Sequence, residues 1–170
     1  MGPGDELVEV VDETGAVLTV VSRQMVREQN LRHRCTFIVV VDDDDQVVVH
    51  QRAAWKDAFP SYWDICFGGI CAVGESWELA AQRELAEEAG ITGEPLVDLG
   101  QVVYDQADGR SIGRAYLAHF GGPVSCPDGE VVAIDRVPVS QLASWLATHQ
   151  VCPDSAGLVV PLLRPLLNWC

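Results

Sequence analysis

Residues 76–89 constrain the fold of this chain more than any other segment, because their pattern predicts a helix with one apolar side. Ser76 suits the N-cap position, and Gly90 suits the position just beyond the last helical residue. The apolar side has a spacing of four and consists of Ala81, Leu85 and Ala89. Such a side must pack against another layer, so the helix has to lie on a sheet or on further helices.

Short apolar runs on both sides of this helix predict strands. The expected strands are 7–11, 16–21, 35–41, 46–51, 62–67, 97–104, 112–120 and 130–137, and the further helices are 140–148 and 155–169. Residues 26–34 are polar and give no clear pattern. Because strands predominate and helices are few, this order favours an α/β sandwich over repeated βαβ units. The length of 170 residues suits a single domain.

Charge and hydropathy exclude several kinds of partner. The chain has 11 basic and 25 acidic residues, which gives a formal net charge of −14. Nucleic acid polymers and anionic membranes are bound through Lys and Arg, so neither is an expected partner. No apolar run approaches the roughly 18 residues of a spanning helix, and no secretory signal is visible at the N-terminus. We therefore expect a cytoplasmic protein with reduced cysteines.

The predicted helix gathers three carboxylates on one side. Glu84, Glu87 and Glu88 are three and four residues apart, and like charges at this spacing destabilise a helix by about 0.2–0.5 kcal/mol. A divalent cation would remove that cost, and oxygen ligands without His or Cys favour Mg²⁺ or Mn²⁺. The preceding Gly68-Gly69 pair allows a backbone carbonyl to approach an ion and N–H groups to approach phosphate. The alternative is a solvated acidic face with Arg83 as a surface partner.

Two other clusters are interpreted as structural. Residues 42–45 are four aspartates between two predicted strands, and we expect a solvated hairpin tip because adjacent carboxylates on a tight turn cannot all face one ion. Cys66 and Cys71 flank the glycine pair, and burial as small apolar side chains is favoured over a catalytic role.

The loop and the acidic helix together fill a spaced pattern. It reads Gly69, five residues, Glu75, seven residues, and then Arg-Glu-Leu-Ala-Glu-Glu-Ala-Gly-Ile over 83–91. This segment resembles a complete Nudix box. The resemblance implies an α/β/α sandwich with a mixed β-sheet, and it extends more weakly over roughly residues 34–150. The chain length predicts a single domain, 1–170, in which the strands 7–11 and 16–21 make residues 1–30 an N-terminal hairpin extension. The resemblance also implies hydrolysis of a nucleoside diphosphate linked to another group, with Mg²⁺ or Mn²⁺.

The same resemblance implies roles for individual residues. Metal would be bound by Glu84, Glu87 and Glu88 with the Gly69 carbonyl, and a Glu75–Arg83 ion pair would hold the loop to the helix. The implied catalytic residues are Glu84, Glu88, Arg83 and Glu130, and the backbone of Gly68 would bind substrate. Glu130 is the candidate general base supplied by a later loop, and an ordinary turn carboxylate is the alternative.

A narrower likeness lies upstream of the box. His33, Gln51-Arg52, Lys56 and residues 60–64 resemble the Nudix subgroup related to isopentenyl-diphosphate isomerase. This likeness implies that Arg52 and Lys56 bind substrate phosphate, for which both side chains are suited. Ordinary surface charge is the alternative for both.

Three functions follow from these likenesses. In the isomerase a Cys precedes a Gly-His pair, whereas here Gly68 and Ile70 occupy the Cys and His positions. The favoured function is therefore metal-dependent attack of water on a small organic diphosphate. An isomerase-like enzyme and a non-catalytic nucleotide-binding regulator remain as alternatives, and the sequence leaves a homodimer open.

Overall fold

A computed structural model describes residues 3–126 and 129–166 of the chain. Its strands are β1 Leu7–Val11, β2 Val17–Ser22, β3 His33–Val41, β4 Gln46–Arg52, β5 Trp63–Asp64, β6 Leu96–Gln106, β7 Gly109–His119 and β8 Val131–Pro138. Its helices are α1 Arg23–Glu28, α2 Trp77–Ala89, α3 Leu142–Thr148 and α4 Pro153–Leu163. None of the helices within these ranges is long and apolar enough to span a membrane.

The eight strands form one mixed sheet. β3 runs parallel to β7 from the pair His33–Ser111 to the pair Val41–His119. The other pairings between these eight strands are antiparallel, namely β1–β2, β1–β3, β3–β4, β4–β5, β4–β8 and β6–β7. The predicted mixed sheet is therefore confirmed, and the N-terminal hairpin is part of it.

Helices cover both faces of the sheet, because successive side chains of β3 point to opposite sides. On one face Ile38 and Val40 pack against the apolar side of α2, which is Ala81, Leu85 and Ala89 as predicted. On the other face Phe37 and Val39 pack against Leu142 of α3 and Val159, Val160 and Leu163 of α4. This layering confirms the α/β/α sandwich.

The N-terminal part of the chain contains a helix that the sequence pattern did not reveal. Ser22 caps α1 by accepting a hydrogen bond from the Met25 N–H at 3.2 Å, and Val26 is the buried residue of this short helix. A single buried residue gives no periodic pattern, so the helix could not be recognised by hydropathy. At the other end, α4 begins at Pro153, two residues before the predicted start, and predicted helical residues 167–169 lie outside the described ranges.

The aspartate run at 42–45 forms the turn between β3 and β4, but its first residue is not solvated as expected. Asp42 is 7% exposed, and the Arg136 Nε donates to its carboxylate at 2.9 Å. The other carboxylate oxygen accepts hydrogen bonds from the N–H groups of Asp44 and Gln46. Aspartate can fold back on its own turn in this way, which explains the difference.

Candidate active site

The loop between β5 and α2 is held on β3 by backbone hydrogen bonds. The Thr36 N–H donates to the Gly69 carbonyl at 2.9 Å, and the Cys71 N–H donates to the Arg34 carbonyl at 2.9 Å. Ile38 and Phe67 exchange two further bonds of 2.7 and 2.9 Å. The loop therefore runs along the strand as an additional extended segment and lies against the acidic side of α2.

Both glycines of this loop are required, for different reasons. Gly68 has φ +142°, and a Cβ atom there would lie 2.1 Å from the carbonyl oxygen of Thr36. At Gly69 a Cβ atom would lie 2.8 Å from both carboxylate oxygens of Glu84. The first glycine is thus needed by the backbone, whereas the second lets a carboxylate approach the loop.

Arg83 ties the loop to the helix. Its Nε and Nη2 donate to the two oxygens of Glu75 at 3.0 and 2.9 Å, which confirms the predicted ion pair. Its Nη1 donates to Glu84 at 2.7 Å and to Glu87 at 3.1 Å, and Nη2 also reaches the Ile70 carbonyl at 3.2 Å. The hydrogen bonds from Arg83 hold the pKa of Glu75 below its ordinary value.

Glu88 is the most buried carboxylate of the helix, at 4% exposure. The Gly68 N–H donates to one of its oxygens at 3.0 Å, and the Nζ of Lys56 lies 3.9 Å from the other. Burial raises the pKa of Glu88 to about 7; the Gly68 N–H acts against this rise, and the charge of Glu84 adds to it. Burial also raises the pKa of Glu84.

Lys56 connects Glu88 to the candidate general base. Its ammonium group contacts the carboxylate of Glu130 as well as that of Glu88. The carbonyl of Glu130 accepts a hydrogen bond from the Ala53 N–H at 2.8 Å, which fixes the start of β8. The structure therefore brings Glu130, which is distant from the box in sequence, to the acidic side of α2.

The three helix carboxylates do not converge as closely as their spacing suggested. Glu84 and Glu88 face the loop with side chains 12% and 5% exposed, whereas the side chain of Glu87 is 53% exposed. Over the described ranges, no three Asp, Glu, His or Cys side chains lie close enough together to hold an ion. The physical reason is that Arg83 draws Glu84 and Glu87 to itself, while Glu88 is bound to the Gly68 N–H.

The donor set nevertheless fits a hard divalent cation. It consists of carboxylate oxygens and the Gly69 carbonyl, which are ligands that Mg²⁺ prefers. The missing Cβ at Gly69 leaves the Glu84 carboxylate against the loop. The Gly69 carbonyl already accepts one hydrogen bond from Thr36, and a carbonyl oxygen has a second lone pair.

Arg52 and Lys56 are not ordinary surface charges. Their side chains are 14% and 10% exposed, and both line a cavity of about 120 Å³ beside the glycine loop. The Nε of Arg52 donates to the Ala58 carbonyl at 3.1 Å, and its Nη1 lies 3.8 Å from Asp64. Both predicted substrate-binding cations, together with Gly68, therefore face the same space.

The cavity concentrates positive charge in an acidic chain. Five of the 11 basic residues line it, against three of the 25 acidic ones. Sequence reasoning identified Arg52 and Lys56 but missed the other three, which are Arg23, Arg27 and Arg110. Arg23 and Arg27 could have been noticed, because they are two cations four residues apart in a chain rich in acidic residues.

The two cysteines that could support isomerase chemistry are buried and unreactive. Cys66 and Cys71 are buried, and burial raises the pKa of Cys71 to about 12 and that of Cys66 well above its ordinary value. His33 is buried, with Nδ1 3.0 Å from the Leu31 carbonyl, and burial lowers its pKa to about 4. Neither thiol forms a thiolate near pH 7, whereas His33 is neutral there, which is the form in which histidine binds metal.

Comparison with known proteins agrees with this geometry. The NUDIX domain family matches residues 31–159 of the chain. A Nudix hydrolase of Streptomyces coelicolor, SCO1686, is 35% identical over 156 residues, which cover 91% of this chain and 86% of that protein. The Nudix hydrolase YfcD of Escherichia coli is 35% identical over 164 residues, covering 96% and 86%.

Solved structures show the same fold. DR0079 from Deinococcus radiodurans superposes with a TM-score of 0.74 at 20% identity, covering 96% of this chain and 98% of that one. The NUDIX domain of Shewanella oneidensis NrtR, in complex with ADP ribose, superposes with a TM-score of 0.65 at 22% identity, covering 79% and 87%.

The chain belongs to the Nudix hydrolase family. It is accordingly a hydrolase of a family that acts on small-molecule diphosphates, generally with divalent metal ions such as Mg²⁺.

Proposed function

We propose that this protein hydrolyses the diphosphate linkage of a nucleoside diphosphate derivative or a related small organic diphosphate, with Mg²⁺ or Mn²⁺, by attack of water at phosphorus. One observation carries the proposal. The carboxylates of Glu84 and Glu88 lie against the Gly68-Gly69 loop, and the same two glycines line a cavity together with Arg52 and Lys56. Carboxylates suited to a cation and cations suited to a phosphate therefore border the same loop.

Separate residues would bind the metal and accept the proton. Glu84, Glu87, Glu88 and the Gly69 carbonyl would hold the metal, which when bound polarises phosphoryl oxygens and lowers the pKa of water. Glu130 would accept the proton of the attacking water. This role is supported by the contact of Glu130 with Lys56, which also approaches Glu88.

The cavity residues would bind the substrate. Arg52 and Lys56 would meet phosphate oxygens and stabilise charge on the leaving group, and Gly68 would border the phosphate with its backbone. Arg83 would act by position, because it holds the loop to α2 through Glu75.

A phosphate-release screen tests the reaction. It should cover nucleoside di- and triphosphates, nucleotide sugars, dinucleoside polyphosphates and prenyl diphosphates, each with Mg²⁺ and with Mn²⁺. We expect turnover of at least one organic diphosphate and its loss in EDTA. Binding without turnover across the whole panel would support the regulator instead, and conversion of isopentenyl diphosphate to its allylic isomer would support the isomerase.

Two substitutions test the carboxylate assignment. Glu84→Gln and Glu88→Gln should each lower kcat by orders of magnitude while the protein stays folded. Stability should be retained at position 88 because the change removes a buried charge. Glu78→Gln is the matched control, since Glu78 is an exposed residue in the first turn of the same helix. Near-normal rates in both active-site variants would refute the metal assignment.

Three further proposals concern the whole chain. Residues 1–170 act as one domain, since the segment 1–30 supplies two arginines to the cavity.

A cytoplasmic location is supported by the free thiols of the five cysteines in the described ranges. A homodimer is a separate prediction, which light scattering after size-exclusion chromatography tests.

A further inference from the structure

The cavity extends beyond the residues that the proposed reaction uses. Arg23 and Arg27 lie four residues apart on α1, and therefore on the same side of this short helix, and both line the cavity. Arg110, near the start of β7, lines it as well. These three arginines are far from the Nudix box in sequence and form a second group of cations beside Arg52 and Lys56.

The charges of these arginines are unequally compensated. Arg110 pairs with Asp105 at 2.7 Å, and the Nη1 of Arg23 pairs with Glu6 at 3.0 Å. The Nε of Arg23, however, is buried without a hydrogen-bond partner among the described residues. The guanidinium of Arg27 makes no hydrogen bond or ion pair with any residue in the described ranges, although it stands at the cavity. An anionic ligand would supply acceptors for both.

The cations also act on one another. Burial lowers the pKa of Arg27, and the neighbouring charge of Arg23 lowers it further. Burial likewise lowers the pKa of Lys56; the charge of Glu88 acts against this, and the charges of Arg52 and Arg23 add to it. Arg23, Arg27, Arg52 and Lys56 line the same cavity and repel one another, and a bound anion would relieve this repulsion.

The size of the cavity limits what it can enclose. Its volume of about 120 Å³ is below the roughly 300–1,000 Å³ of sites that enclose whole drug-sized ligands. The space suits phosphate groups, and a nucleoside attached to them would lie outside. A phosphate group that is linked to the rest of the molecule through one oxygen only, such as a chain end or a monoester, carries a charge of about −1.5 to −2 near pH 7. It therefore matches several cations better than an internal phosphate, which is linked on two sides.

We propose that Arg23, Arg27 and Arg110 form a subsite for a dianionic phosphate group, that is, one linked to the rest of the substrate through one oxygen only. The inference rests on the proposed function, and it implies that the substrate carries such a dianionic group in addition to the bond that breaks. The group has two sources, the free end of a phosphate chain or a phosphate monoester elsewhere on the substrate.

Matched substrate pairs distinguish these two sources. ADP and ADP-ribose differ in whether the chain end is free, and NADPH and NADH differ in one remote phosphate monoester. A preference for ADP identifies the chain end, and a preference for NADPH identifies the remote group. No preference within either pair would overturn the proposal.

Arg27→Gln is the most direct variant, because Arg27 has no ion pair in the described ranges whose loss could disturb folding. We expect about a tenfold lower kcat/KM for the pair member with the free phosphate, and less than a twofold change for the other member. Arg114→Gln is the charge-matched control, since Arg114 pairs with Asp98 on the exposed side of β6 and β7 and lies outside the cavity. An equal effect of Arg27→Gln on both members would refute the subsite.

A binding measurement separates this subsite from the catalytic proposal. Isothermal titration of the metal-free protein with methylenediphosphonate, at constant ionic strength, needs no turnover. Arg27→Gln should bind about tenfold more weakly than wild type, whereas Arg114→Gln should bind equally. Equal binding by all three proteins, or no binding by wild type, would overturn the subsite. If binding behaves as expected but no diphosphate is hydrolysed, the proposed function fails and the subsite stands.

Discussion

Alanine at Gly69 should slow the enzyme with little loss of stability, whereas alanine at Gly68 should markedly lower its stability. The added Cβ at position 69 would lie 2.8 Å from both oxygens of Glu84, and the carboxylate must retreat to about 3.4 Å for ordinary contact. Because the obstructing atoms end a flexible side chain, the unfolding free energy should change by less than about 1 kcal/mol. Displacing a catalytic group by about 1 Å can cost about 10²-fold, so we expect kcat to fall at least tenfold.

At Gly68 the obstructing atom belongs to the backbone. A Cβ there would lie 2.1 Å from the Thr36 carbonyl oxygen, and the residue has a φ of +142° that other residues rarely adopt. Strained backbone of this kind costs about 1–3 kcal/mol even without a collision, so we expect a loss of at least about 2 kcal/mol. Gly157→Ala is the control, because a Cβ on that residue of α4 meets open space and alanine favours the helix.

Urea unfolding and steady-state kinetics, measured on all three variants, test this reasoning. Retention of at least half of the wild-type kcat by Gly69→Ala would contradict this prediction, since the approach of Glu84 to the loop would then be unimportant. Equal losses of stability in Gly69→Ala and Gly68→Ala would contradict it as well, since the loop backbone alone would then explain both.

Three further outcomes are expected. Arg83→Gln should lower kcat and reduce the unfolding free energy by about 1.5–3 kcal/mol, the value of hydrogen bonds to charged groups, with Arg114→Gln near wild type in urea unfolding. Burial and the charge of Asp64 raise the pKa of Asp154 to about 6, which disfavours its charged form in the folded state. Asp154→Asn should therefore be more stable than wild type above pH 6, and unfolding at several pH values should show the gain vanishing below about pH 4. EDTA should abolish hydrolysis but shift Tm by less than about 2 °C in calorimetry, because the contacts of Arg83 and Lys56 with the glutamates need no metal.

Local patterns in the sequence predicted the part of the candidate site that the glycine loop and α2 form. Ser76, Gly90 and the apolar spacing between them define α2 without reference to the rest of the chain, and the observed helix keeps both caps. The Glu75–Arg83 pair lies within the same continuous segment. Such features can be predicted from the sequence because the residues that interact lie close together along the chain.

The cavity could not be predicted in the same way. Its five cations come from α1, from β4 and the loop after it, and from the start of β7. Only the parallel pairing of β3 with β7 brings Arg110 toward the segment around His33, and no local pattern encodes that pairing. The orientation of the helix carboxylates could not be predicted either. The spacing along a helix shows which residues are neighbours, but it does not show which hydrogen bonds their side chains form.

The distribution of Arg83 hydrogen bonds explains how one side chain can serve both the fold and the site. Its Nε and Nη2 hold Glu75 and the Ile70 carbonyl, so these two nitrogens fix the loop. Its Nη1 alone contacts Glu84 and Glu87. Because guanidinium donors project in a fixed planar fork, Arg83 can release the two helix carboxylates while keeping its hold on the loop. In the folded chain the Nη1 group thus compensates the like charges of Glu84 and Glu87, while Nε and Nη2 position the loop.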